Sequence, residues 1–167
     1  RHAAQLCWSN PDVGRLMVEK VLAMYEKYPH IDIMSLFPAD NMNYCMCGEC
    51  AKLDGSTRWF NFLEKIAEGV RKKHPGARFA SIAYQSYKDP PAVSLKNLEF
   101  VEYCMYDRCY AHRIDSCDMN KKAMEKVAEW MKKDVPVGVY GYEFDIFKPN
   151  VAAPMEKMIA DQIKVFS

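Results

Sequence analysis

Strands and helices alternate along almost the whole of this chain, and that alternation removes most folds from consideration. "SNPDVGRLMVEKVLAMYEKYP" reads as a helix: Asn10 can cap it, Pro11 suits its first position, and Asp12 complements the positive end of the helix dipole. Val13, Leu16, Met17, Val21, Met24 and Tyr28 recur at helical spacing and predict its buried stripe, which Pro29 ends. "IDIMSLF" follows as a strand, apolar enough to be buried on both faces. Ser56 or Thr57 can cap a second helix that turns Trp59, Leu63, Ile66 and Val70 toward a core. "RFASIAY" and "NLEFVEYCM" are the second and third strands; "DPPAVSLKN" between them predicts an extended or short helical crossover instead of a full helix. A third helix over 119–133 carries Ala123, Met124, Val127, Ala128 and Met131, and "PVGVYGYEF" is a fourth strand. The last helix begins near Pro154, with Met155, Met158, Ile159, Ile163 and Phe166 as its apolar positions.

The order α-β-α-β-β-α-β-α predicts an α/β fold of mostly parallel strands, because crossover helices join parallel neighbours and hairpins cannot. Two parallel architectures then compete. A doubly wound sheet for a dinucleotide carries a glycine-rich phosphate turn after a strand, and no such turn occurs among the seven glycines. A complete (β/α)8 barrel takes about 250 residues, whereas this chain has 167 and shows four strands. The expectation is therefore a partial TIM-type (β/α)8 barrel. Residues 1–167 read as a single domain, the later part of a barrel in a longer protein, since the chain opens "RHAAQLC" without an initiator methionine.

Charge narrows the partners. The formal net charge is +1, with acids and bases interspersed, so the basic stripe that nucleic acid or an anionic membrane requires is missing. No apolar run approaches the roughly 20 residues of a membrane-spanning helix. Oligomeric state leaves no mark in the sequence.

In either architecture function collects at the C-terminal ends of the strands, and here the loops at the two ends differ sharply. "YPH", "KHPGA" and "KKDV" lead into strands and hold little beyond turn residues and lysines. The loops that leave strands hold Asp40, Asn41, Asn43 and Tyr44; then Tyr84, Gln85 and Tyr87; then Tyr106, Asp107, Arg108, Tyr110 and His112; then Tyr142, Glu143 and Asp145. Carboxylates and amides beside aromatics suit a sugar, whose hydroxyls need polar partners and whose C–H faces pack on rings. Glycoside hydrolysis needs two carboxyl groups, one to protonate the leaving oxygen and one as base or nucleophile. Asp40 and Glu143 are the candidate pair. Asn41, Tyr84, Tyr87, Arg108 and Tyr142 are candidate substrate contacts, with Arg108 suited to a uronate carboxylate through its two-pronged donors. Each residue also has a plainer reading: Asp40 as a turn cap, the tyrosines as packing.

Asp40 is followed by Cys45, Cys47 and Cys50. Three thiolates at C-x-C-x-x-C spacing can wrap one tetrahedral zinc, with Cys109, His112 or Cys117 as a fourth ligand from a loop further round. A disulfide and free thiols are the alternatives, and seven cysteines cannot all pair within one chain. Cys7 and Cys104 lie in apolar contexts and read as small core residues.

"LCWSNPDV", "SLFPADNMNYCMCGEC", "IAYQSYKDPP" with "NLEF" after it, and "RCYAH…IDSCDMN" together resemble a bacterial family of unassigned function that is similar to the catalytic barrel of α-glucuronidases. The resemblance implies a glycoside-hydrolase-like domain that acts on or binds a plant- or host-type polysaccharide, and a secreted or periplasmic location. It implies that catalysis needs no cofactor, leaving any zinc a structural part. A non-catalytic carbohydrate-binding barrel and a zinc-stabilised interaction module are the alternatives.

Overall fold

The computed structural model describes residues 5–142 and 156–166. Within them the chain is α/β, with four parallel strands paired in the order β1-β2-β3-β4. The strands are β1 (Met34–Ser35), β2 (Phe79–Ala83), β3 (Phe100–Cys104) and β4 (Val137–Tyr140). Helices α1 (Pro11–Lys27), α2 (Gly55–Arg71) and α3 (Asp118–Trp130) alternate with them, and α4 (Glu156–Phe166) follows. Short 3-10 turns occupy Cys50–Lys52 and Gln85–Tyr87.

Burial follows position in the sheet. Central β2 buries every side chain but Ile82, as expected of a strand covered on both faces, while β3 buries Val101, Tyr103 and Cys104 and leaves Phe100 and Glu102 half-buried. β1 is shorter than "IDIMSLF" predicts and is not buried on both faces: Met34 is buried and Ser35 exposed. An edge strand has one pairing partner, and its ladder extends only from the Met34 N–H on the Arg78 carbonyl to the Leu36 N–H on Ala80.

α1 is capped as its sequence predicts, with the Asp12 N–H donating to Asn10 Oδ1 at 2.9 Å and Pro11 in the first turn. Its buried residues are Val21 and Tyr25, whereas Leu16 and Met24 stand exposed. The stripe is rotated because the Tyr25 hydroxyl reaches the Arg78 backbone at the start of β2. α2 buries a much wider face than a single stripe: Phe60, Phe62 and Ala67 join Trp59, Leu63, Ile66 and Val70 in the core.

The cap of α2 is Asp54, which accepts from the Thr57 N–H at 2.8 Å, and neither Ser56 nor Thr57 fills that role. Burial pushes the Asp54 carboxyl up, but its hydrogen bonds to Thr57 outweigh this and hold it below the usual value. Ser56 and Thr57 instead brace the β2–β3 crossover: the Ser56 hydroxyl donates to the Tyr87 and Asp89 carbonyls, and Thr57 Oγ1 accepts from the Ala92 N–H. Gly55 is glycine because a Cβ there would drive into the Ser86 carbonyl oxygen. α3 closes the same crossover from the other side. Trp130 Nε1 donates to the Lys88 carbonyl at 2.7 Å, and its ring meets Phe60 of α2 at 5.4 Å. Met131, placed by its spacing on the core side of this helix, is exposed beyond its end.

Candidate functional site at the strand ends

The chain leaving β1 and the chain leaving β2 meet side by side. Gln85 Nε2 donates to Asp40 Oδ1 at 2.6 Å, and the Tyr44 hydroxyl lies 3.4 Å from Gln85 Oε1. Gln85 holds this position at φ 48°, a left-handed conformation that non-glycine residues adopt at a cost of about 1 kcal/mol or more. Strain of that kind clusters at sites where side-chain direction matters.

The 39–43 loop is fastened by Gln5, a residue that no motif marks. Its side chain donates to the carbonyls of Ala39 and Asn41, its Oε1 accepts from the Ala39 N–H, and its own N–H donates to Asn43 O at 2.9 Å. Asn41 turns its side chain inward on the loop, accepting from the Asn43 N–H at 3.0 Å.

Beside Asp40 lies a run of rings. Tyr84 meets Tyr106 at 5.2 Å, Tyr106 meets Tyr142 at 6.2 Å, and Tyr142 meets Tyr140 at 5.3 Å, all edge to face. Tyr106 and Tyr140 are exposed and Tyr84 and Tyr142 half-buried. Burial raises the Tyr106 hydroxyl and pushes Tyr142 well above the ordinary tyrosine range. The Lys88 ammonium sits 4.5 Å from the centre of the Tyr106 ring and 2.5 Å from Asp107 Oδ1. Lys88 is the charged group that sequence reasoning missed, because it lies several residues past the strand end and returns along the crossover.

The remaining candidates are placed differently. Tyr87 is 1% exposed and packs between Trp59 and Tyr84, so it belongs to the core. Arg108 is also buried. It lies over the Tyr110 ring at 4.5 Å and against the Met158 sulfur of α4, and it is not presented at the rim. Glu143 and Asp145 lie outside the described residues.

The C-x-C-x-x-C loop closes on Cys7. The Sγ atoms of Cys7, Cys45, Cys47 and Cys50 all lie within 4.8 Å of one another, with Cys7 3.8 Å from Cys47 and 3.9 Å from Cys50. Zinc–sulfur bonds of about 2.3 Å in a tetrahedron put the sulfurs about 3.8 Å apart. Two of these contacts already stand at zinc-thiolate spacing and the others fall within 4.8 Å, so the cluster can hold a metal. The reading of Cys7 as a core residue is corrected here; Cys104, by contrast, is buried, and burial raises its thiol to about 11. Nor do Cys109, His112 and Cys117 complete this set: they form a separate group.

Ser9 sits among the four thiols, 3.3 Å from Cys7, 3.4 Å from Cys47 and 3.2 Å from Cys50. Its hydroxyl draws Cys7 down and Cys47 down to about 6. Cys45 feels a lowering hydrogen bond from the Cys47 backbone, yet the neighbouring Cys7 and Cys47 thiols hold it up at about 11. The loop is pinned from beneath by Arg58, which donates to the Cys45 carbonyl at 2.8 Å and lies 5.8 Å from the ring centres of both Trp8 and Tyr44. Trp8 in turn packs on Trp59 at 5.3 Å and Tyr44 at 5.7 Å, which carries Cys7 into place.

All seven cysteines are unpaired with one another, and among the described residues no helix is long and apolar enough to cross a membrane. No curated protein and no solved structure matches the chain. A family model does match, over residues 1–167, and the chain accordingly belongs to the family described as "Domain of unknown function (DUF4838)".

Proposed function

We propose that the strand-end face is a carbohydrate site, presented by a loop that a structural zinc at Cys7, Cys45, Cys47 and Cys50 holds folded. The observation that carries this reading is the unbroken run Tyr84–Tyr106–Tyr142–Tyr140 lying beside the Asp40–Gln85 pair at one end of the sheet. Rings with an apolar body and a polar tip accept sugar C–H faces while leaving hydroxyls to neighbouring amides and carboxylates. Lys88, its side chain 12% exposed between Tyr106 and Tyr103 and paired with Asp107, is the cation that meets a uronate carboxylate in this reading. It takes the place that the sequence suggested for Arg108.

The strictly sequential order of four parallel strands supports a segment of a (β/α)8 barrel, since doubly wound sheets reverse their order at a switch point. On this reading the domain is a glycoside-hydrolase-like part of a secreted or periplasmic protein, from a family whose barrel resembles that of α-glucuronidases. Asp40 is one carboxylate of the hydrolytic pair, and Gln85 orients it.

Asp40→Asn in the full-length protein tests this. The amide keeps the size of the side chain but cannot move a proton, so turnover of a uronate-containing polysaccharide falls about 100-fold or more while binding persists. Turnover and binding both unchanged would remove Asp40 from the site. A wild-type protein that binds glycans without cleaving them, and loses affinity on this substitution, places the face in the non-catalytic class.

A further inference from the structure

The second thiol group has a different construction from the first. We propose that Cys109, His112 and Cys117 form a second zinc site with three protein ligands and one coordination position open to an outside donor. Their ligand atoms all lie within 4.8 Å of one another, and Cys109 Sγ is 3.2 Å from His112 Nδ1. A tetrahedral zinc sets sulfur and imidazole nitrogen about 3.5 Å apart, so closing the site around a metal needs only a small opening of this pair.

The loop that carries the ligands is held in shape before any metal arrives. Asn120, fully buried, accepts from the Cys109 N–H at 2.7 Å and donates to the carbonyls of Cys109, His112 and Arg113. One side chain thus fixes the backbone at two of the three ligands. The third, Cys117, is the residue that caps α3, yet its side chain makes no capping hydrogen bond. Its Sγ is thus not taken up by the first turn of the 13-residue helix.

Among the described residues no fourth histidine, cysteine or carboxylate joins this group. His112 is exposed and the two cysteines are half-buried, whereas the four-cysteine set includes the buried Cys50 and fills every tetrahedral position itself. Closed thiolate sets are the structural type of zinc site, and three protein ligands with a free position are the type that binds water or another donor. The chain on this account carries one of each. The open one lies on the loop that leaves β3 immediately after Tyr106 and Asp107.

Metal analysis of the protein purified under reducing conditions tests the proposal independently of any glycan. Wild type is expected to hold about two zinc ions per chain. Cys109→Ser/Cys117→Ser and the surface substitution His112→Ala each lower this to about one, with the fold intact by circular dichroism, and Cys47→Ser removes the other ion. In the cobalt-substituted protein, added imidazole shifts the visible d–d bands of wild type and of Cys47→Ser, and leaves those of Cys109→Ser/Cys117→Ser unmoved. A wild type that holds one zinc and keeps it in Cys109→Ser/Cys117→Ser, or a Cys109→Ser/Cys117→Ser variant that still holds two, overturns the second site. So does a Cys109–Cys117 disulfide found by peptide mass mapping of the freshly purified protein. Two zinc ions with no response to imidazole overturn the open position.

Discussion

Withdrawing zinc from the four-cysteine site is expected to lower the thermal midpoint by about 10 °C. A metal present at roughly a thousand times its dissociation constant stabilises the native state by about 4 kcal/mol, and in a chain of this size each kcal/mol moves the midpoint by about 2–4 °C. The contribution is concentrated in a stretch with almost no regular structure. Between the end of β1 and the start of α2 lie 19 residues, 36–54, whose only regular structure is the 3-10 turn Cys50–Lys52. Met42 and Met46 in that stretch are exposed and add nothing to a core. Without the metal, the crowded thiols at 3.8–3.9 Å lose the cation that lets them ionise together. Cys47→Ser should reproduce most of the chelator's effect and make the protein insensitive to further loss at that site. Differential scanning calorimetry with reductant present reads both, and equal midpoints with and without chelator would show that no metal is held there.

Trp130→Ala is expected to cost about 4 kcal/mol, a further shift of about 10 °C, through truncation of a large side chain in a tight core. Trp130 has no solvent exposure, and it joins three parts of the fold. Its ring meets Phe60 of α2, its indole N–H donates to Lys88 in the β2–β3 crossover, and it ends α3. That crossover has no α-helix, so side chains from α2, from α3 and from Lys133 just past it supply the partners its backbone would otherwise lack. Loss of the anchor also releases Lys88 from beneath Tyr106. Trp130→Phe keeps the packing and forfeits about 1 kcal/mol for the hydrogen bond, which separates the two parts of the effect. A midpoint for Trp130→Ala within about 3 °C of wild type would contradict this role.

The parallel α/β order was legible because it depends on local signals that carry their own physics. Asn10–Pro11–Asp12 starts α1 where a cap, a fixed φ and a favourable charge coincide, and the apolar runs of β2 and β3 lie at the centre of the sheet. β1 was overdrawn because composition does not reveal that a strand stands at an edge. The C-x-C-x-x-C was visible as three ligands, but its fourth was not. Cys7 lies 38 residues before Cys45, next to Leu6 and Trp8, where it looks like a core thiol, and it reaches the loop only through the Gln5 pairing with Asn43 and the packing of Trp8. A cysteine spacing can report a local ligand set and is silent on a partner brought by tertiary packing. Arg108 shows the converse: a polar loop sequence reads as exposed, yet this residue folds back under Met158 of α4. Lys88 occupies the face instead, and neither its spacing nor its neighbours marked it.

A panel of plant and host polysaccharides, uronate-containing and neutral, screened against the wild-type full-length protein and its Tyr84→Ala and Lys88→Met variants, tests the carbohydrate reading most directly. Wild type is expected to bind members of the panel. Tyr84→Ala then weakens them by about 10-fold or more, as expected for one lost stacking contact of 1–2 kcal/mol, while Lys88→Met weakens the uronate-containing ligands selectively. Binding that neither substitution changes, or no binding by wild type across the panel, would contradict it.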